Sequence, residues 1–88
     1  MEWIVNNFDN KSIEDNRDLV ELVKLILIKM PYLSRKLIEL RFVGILEQFF
    51  FIRTETVCSI YNIMIPFMNQ EVKERVYKFL INHLNYSP

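Results

Sequence analysis

Histidine and cysteine are the side chains best suited to acid–base or nucleophilic chemistry near neutral pH, and this chain has one of each, His83 and Cys58. A catalytic thiol needs a neighbouring base or a depressed pKa. A working imidazole needs an orienting partner, and no carboxylate stands three or four positions from His83. His83 therefore reads as structural, beside the apolar stripe of a last helix and near its C-terminus, where a protonated ring favours the helix dipole. Cys58 reads as a buried thiol on an apolar helix flank. Glu14, Asp15 and Asp18 form an acidic cluster of the type that holds a cation or shares a proton. No second carboxylate or histidine motif recurs at matching spacing, as di-metal bundles require, and acids at a helix start complement its dipole. With a single glycine, Gly44, no glycine-rich phosphate loop exists. The residues thus predict no catalytic group, no metal site and no cofactor, and a protein that is not an enzyme.

Binding chemistry is better represented. Arg35, Lys36 and Arg41 are the one basic concentration, with Tyr32 nearby. With Arg53 they define one alternative, a ribosome- or nucleic-acid-associated factor. Against it stands the balance of 11 basic and 11 acidic residues, because nucleic-acid binding draws on a net basic face that releases counterions. The run Phe49–Phe50–Phe51 is the most unusual feature. Three consecutive residues span about 200° of a helix, so one core face cannot bury all three rings. Either other helices cover both sides, or a ring is exposed and marks a partner site, since aromatics dominate interface energetics. Trp3 poses the same question at the N-terminus. Trp3, Phe49, Phe50 and Phe51 are accordingly the interaction candidates.

The composition bounds the rest. The 88 residues are 51% hydrophobic and 25% charged, which fits one globular domain over residues 1–88 and excludes a disordered chain. A lone cysteine excludes a disulfide framework and fits a reducing, intracellular compartment, cytoplasmic or nuclear. The N-terminal MEWIVNNFD has no basic stretch before an apolar run, unlike a secretory signal. The longest run without a charge, residues 56–70, is interrupted by Pro66 and is shorter than the roughly 20 residues of a membrane span. Alanine is absent, while isoleucine occurs eleven times, asparagine eight and phenylalanine seven. That bias matches AT-rich codons and hints at a virus, parasite or protist. Its structural consequence is that helices pack through bulky side chains, at the wide end of the usual 8–10 Å spacing.

Helical periodicity runs through the chain, with no sustained alternation and no hairpin turn signal. A short first helix is expected over residues 2–8. A second starts between Ser12 and Asp18 and runs to about Met30, with Leu19, Leu22, Val23, Ile26 and Met30 as its core stripe. Pro31 stops it. A third, capped by Ser34, runs unbroken to about Ile52 and is apolar around most of its circumference. Mid-helix Gly44 costs about 1 kcal/mol relative to alanine and implies close approach by a neighbour. A fourth, capped by Thr54 or Thr56, is kinked or cut short by Pro66. A fifth, capped by Asn69, runs from Gln70 to about Leu84. Its inward face is Val72, Val76, Phe79, Leu80 and Leu84, and Glu71–Arg75 and Glu74–Lys78 have ion-pair spacing on the outside. Short loops make consecutive helices antiparallel neighbours.

The last helix, NQEVKERVYKFLINHL, resembles the second helix of a HEAT or armadillo-like repeat unit. Asn69, Val72, Lys73, Val76, Phe79 and Leu80 fill the turn, basic and apolar places of that pattern, and the helix ending near Pro66 takes the place of the first. One departure is Val76 or Tyr77 where such units usually carry alanine. The resemblance implies a short stack of helical hairpins; a plain five-helix bundle, or a death-fold-like adaptor, also fits. The expected protein is all-α, with about five antiparallel helices. Its expected function is non-catalytic: an interaction module or small complex subunit that binds another protein, or its own copy, through apolar helix surface. A viral or parasite host-interaction factor is a further variant of that reading.

Overall fold

A computed structural model describes residues 13–84, with side chains from residue 18 to residue 83. The described residues are helical, without a strand, and no helix among them is long and apolar enough to cross a membrane. The order is α1 (Ile13–Lys29), a 3₁₀ turn (Pro31–Leu33), α2 (Ser34–Glu39), α3 (Phe42–Phe49), α4 (Thr54–Met64), a second 3₁₀ turn (Ile65–Phe67) and α5 (Gln70–Leu84). The helix expected over residues 2–8, with Trp3, lies outside the described residues.

The all-α expectation holds, but the third expected helix is two. The chain breaks at Leu40–Arg41, where Arg41 adopts left-handed φ 61°, and α2 and α3 run separately on either side. The reason is a phase conflict. At about 100° per residue, the buried pair Ser34 and Leu37 points roughly opposite to the buried set Phe42, Val43, Leu46, Phe49 and Phe50. One straight helix would turn one of these sets to solvent. The break lets both face the same core, at a cost of about 1–2 kcal/mol for a non-glycine residue in the left-handed region.

The core joins Val20, Val23 and Leu27 of α1 to Val57, Ile60, Tyr61 and Met64 of α4, and this helix pair packs most extensively. Leu37, the buried set of α3, Met68 and Val76 complete it. The α1 stripe is therefore rotated from the expected one. Val20 and Leu27 are buried, Leu19 and Ile26 are partly covered, and Leu22 and Met30 are exposed. An α1 helix apolar on most sides leaves its inward phase open. The partner selects the row carrying valine, the smallest branched apolar side chain present.

The caps also differ from expectation. Ser34 is the first residue of α2, not its cap, and its buried hydroxyl has no hydrogen-bond partner among the described residues. Neither Thr54 nor Thr56 caps α4. Thr54 Oγ1 donates to the Phe50 carbonyl at 2.6 Å, and Thr56 Oγ1 donates to Glu21 Oε1 on α1 at 2.6 Å. Pro66 does end α4, which passes into the second 3₁₀ turn. Asn69 caps α5 as expected, its Oδ1 accepting from the Val72 N–H at 2.9 Å.

Because Arg41 pays for left-handed geometry without glycine's freedom, Arg41→Gly should raise the free energy of unfolding by about 1 kcal/mol. Arg41→Val should lower it by at least as much. Urea melts of the two variants check the sign; a stabilising valine would show that the break is not imposed by the core.

Candidate functional site

The phenylalanine triplet is resolved residue by residue. Phe49 and Phe50 are each only 2% exposed, whereas Phe51 is 72% exposed. This corrects two of the interaction candidates: Phe49 and Phe50 are core side chains, because at about 100° per residue they flank the buried row of Phe42, Val43 and Leu46, whereas Phe51 falls on the far side. Trp3 lies outside the described residues, so Phe51 is the candidate that the structure leaves on the surface.

Phe51 does not stand alone. Its ring meets the Phe50 ring edge-on, with centroids 5.5 Å apart, and the His83 ring edge-on at 5.2 Å. Phe79 packs edge-on against Phe50 at 5.2 Å and lies 4.3 Å from His83. The turn after α3 and the C-terminal turns of α5 thus bring four rings together. Edge-to-face pairs of this kind contribute about 0.5–1.5 kcal/mol beyond area burial. The arrangement holds an exposed phenyl ring in place by its neighbours, so little side-chain freedom remains to be lost on binding. Sequence reasoning found the triplet but not its partners. His83 and Phe79 are i, i+4 neighbours on α5, and that spacing was the signal available.

The basic residues are engaged separately. Arg53 places Nη2 4.0 Å from Asp18 Oδ1 and Nη1 3.9 Å from Glu21 Oε1, which ties the start of α4 to α1. Lys36 lies 3.9 Å from Glu39. The Arg35 guanidinium sits 5.6 Å from the Phe67 ring centroid, a cation–π distance. Arg41 lines a small cleft with Ile38, Val43, Gly44, Val72 and Arg75. Asp18 thus serves as a tertiary ion-pair partner, and the side chains of Glu14 and Asp15 lie outside the described region.

Arg75 corrects the ion-pair expectation on α5. It reaches across to α3 rather than along its own helix, with Nε 2.9 Å from Glu47 Oε1 and Nη2 3.3 Å from Glu47 Oε2. The guanidinium passes over Gly44, where a Cβ would lie 3.2 Å from Arg75 Nη2. Gly44 therefore makes room for a neighbouring side chain, not for a helix backbone.

Cys58 is partly buried, and burial pushes its thiol above the ordinary 9.0, away from the thiolate. Among the described residues, no group of three His, Cys, Asp or Glu side chains could hold a metal ion. Tyr61 is buried beneath α3 and donates its hydroxyl to the Val43 carbonyl at 3.4 Å. Burial pushes the phenol well above its ordinary 10.0, and the negative charge of Glu47 adds to the shift while Arg75 opposes it.

No protein-family model, curated protein or solved structure matches the chain.

The two raised groups fix a sign for alkaline stability. Both favour the neutral form in the fold, so the unfolded chain ionises first and is favoured as pH rises. Their contribution is complete below pH 9 and is lost progressively above the ordinary values of 9.0 and 10.0. Chemical melts from pH 8 to pH 11 should show stability falling above this point. Tyr61→Phe should flatten the portion above pH 10; an unchanged slope would place the alkaline sensitivity elsewhere.

Proposed function

We propose that the chain is a non-catalytic, intracellular interaction module that binds another protein through apolar helix surface. The observation that supports this reading is Phe51, a large ring 72% exposed yet braced by Phe50 and His83. Burying such a ring is worth about 1.5–3 kcal/mol, and leaving it in water forfeits that. Protein interfaces concentrate their energy in aromatic anchors of this kind. Ile52 is exposed beside it, which extends the apolar surface. The raised Cys58 thiol and the aromatic setting of His83 support structural roles for both residues. In this reading α4 and α5 keep the order and the Asn69 cap of a HEAT-like unit. They differ from one in making no broad close approach to each other.

The test compares the three phenylalanines. Phe51→Ser should leave the thermal melt within a few degrees of wild type and weaken capture of a protein partner by roughly thirtyfold, the equivalent of a 2 kcal/mol anchor. Phe49→Ser and Phe50→Ser should each destabilise the fold by about 3 kcal/mol or more. Undiminished capture by a folded Phe51→Ser chain would remove the main support for this site.

A further inference from the structure

The outer face of α1 is a second apolar surface, opposite the core row of Val20, Val23 and Leu27. It carries Leu22, Leu25 and Ile28, which are 40%, 60% and 54% exposed. At about 100° per residue, Leu25 lies at the centre of this face, with Leu22 and Ile28 about 60° to either side. Charge is divided along the same face. Asp18 and Glu21 lie toward the start of α1, and Lys29 lies at its end. Exposed Tyr32 follows in the 3₁₀ turn.

We propose that this face binds a second copy of the chain, α1 against α1 in antiparallel orientation, around a twofold axis at Leu25. The inference rests on the same reading of the chain as a module that works through apolar helix surface, but it uses a face separate from Phe51. The support is self-complementarity, which a twofold interface demands of a single patch. With Leu25 on the axis, each position meets the one equally far on the other side of 25. Leu25 then meets the partner's Leu25, and Leu22 meets the partner's Ile28, so the apolar row closes on itself. Glu21, which also holds Thr56 and Arg53 of its own chain, meets the partner's Lys29. A parallel pairing would instead set Glu21 against Glu21 and Lys29 against Lys29. Arg53 lies near Asp18 and Glu21 and offsets one of their two charges, which leaves the acidic end one negative charge to match Lys29. Standard stable interfaces take about 800 Å² from each partner, and α1 is only about 25 Å long. The dimer is therefore a weak one that forms with concentration.

Analytical ultracentrifugation of the whole chain over a range of concentrations tests this, with circular dichroism on every variant. Wild type should show a monomer–dimer equilibrium that weakens with added salt. Leu25→Glu should raise the dimer Kd by at least about thirtyfold at an unchanged melting temperature, with Leu25→Ser read in its place if the glutamate unfolds. Lys29→Glu should weaken the dimer, and Phe51→Ser should not. In a Cys58→Ser background, Leu25→Cys should oxidise to a disulfide-linked dimer far more readily than Tyr77→Cys on α5, because only a residue on the axis meets its own copy. A wild type that stays monomeric at every concentration overturns the proposal. So does a dimer indifferent to Leu25. A chain that even Leu25→Ser destabilises also overturns it, since the row would then be covered by the chain itself. None of these results bears on Phe51, whose partner capture is read separately.

Discussion

Without alanine, the helices meet through buried valine, and the core is arranged around these side chains. Val20 and Val23 of α1, Val43 of α3, Val57 of α4 and Val76 of α5 are all buried. The most extensive helix contact, between α1 and α4, has valine on both sides. Larger side chains, Leu27, Ile60, Tyr61 and Met64, then fill the space that a valine crossing leaves open. A branched side chain is stiff at χ1, so these contacts fix helix rotation as well as spacing. Rotation of α1 decides which of its apolar rows is inward, and hence that Leu22, Leu25 and Ile28 are left outside.

Much of this was legible in the sequence. Helical periodicity, the stop at Pro31, the cut at Pro66 and the Asn69 cap lie where the residue pattern puts them, because each is a local backbone effect. What was not legible depends on partners distant in the chain. Residues 34–52 read as one apolar helix, since propensity records no objection to continuing through Leu40 and Arg41. Only the core shows that the two halves carry their buried faces in opposite directions. The threonines were readable as caps, but Thr56 bonds instead to a carboxylate 35 positions away. Arg75 had a suitable acid one turn back, yet pairs with Glu47, 28 positions away. For the candidate site, the sequence isolated the triplet but could not apportion it, because three adjacent rings are equivalent until packing partners fix which side of the helix faces inward.

The two apolar surfaces differ in kind. Phe51 is a single ring buttressed by aromatic neighbours, which suits insertion into a pocket on another protein. The α1 face is a shallow row of aliphatic side chains with divided charge, which suits a helix of matching pattern. Phe51 follows α3 and the aliphatic row lies on α1, which separates the two surfaces in the sequence. Substitutions can therefore address either one without touching the other.

The attachment of α5 differs from that of every other helix. Among the described residues it makes no broad backbone approach to any single element. Among its described side chains Val76 is the one fully buried, supported by the Phe79–Phe50 ring contact and the Arg75–Glu47 pair. Low local packing density is the mark of a segment that detaches before the rest of a domain unfolds. The last helix is thus the natural first unit of partial opening, and its amide protons should exchange with solvent ahead of those in α1 and α4. Such an opening would uncover Phe50 and release Phe51 from one of its two braces. Phe51 would then share its fate with α5, so that partner binding of the kind proposed for this ring and closure of α5 would reinforce each other.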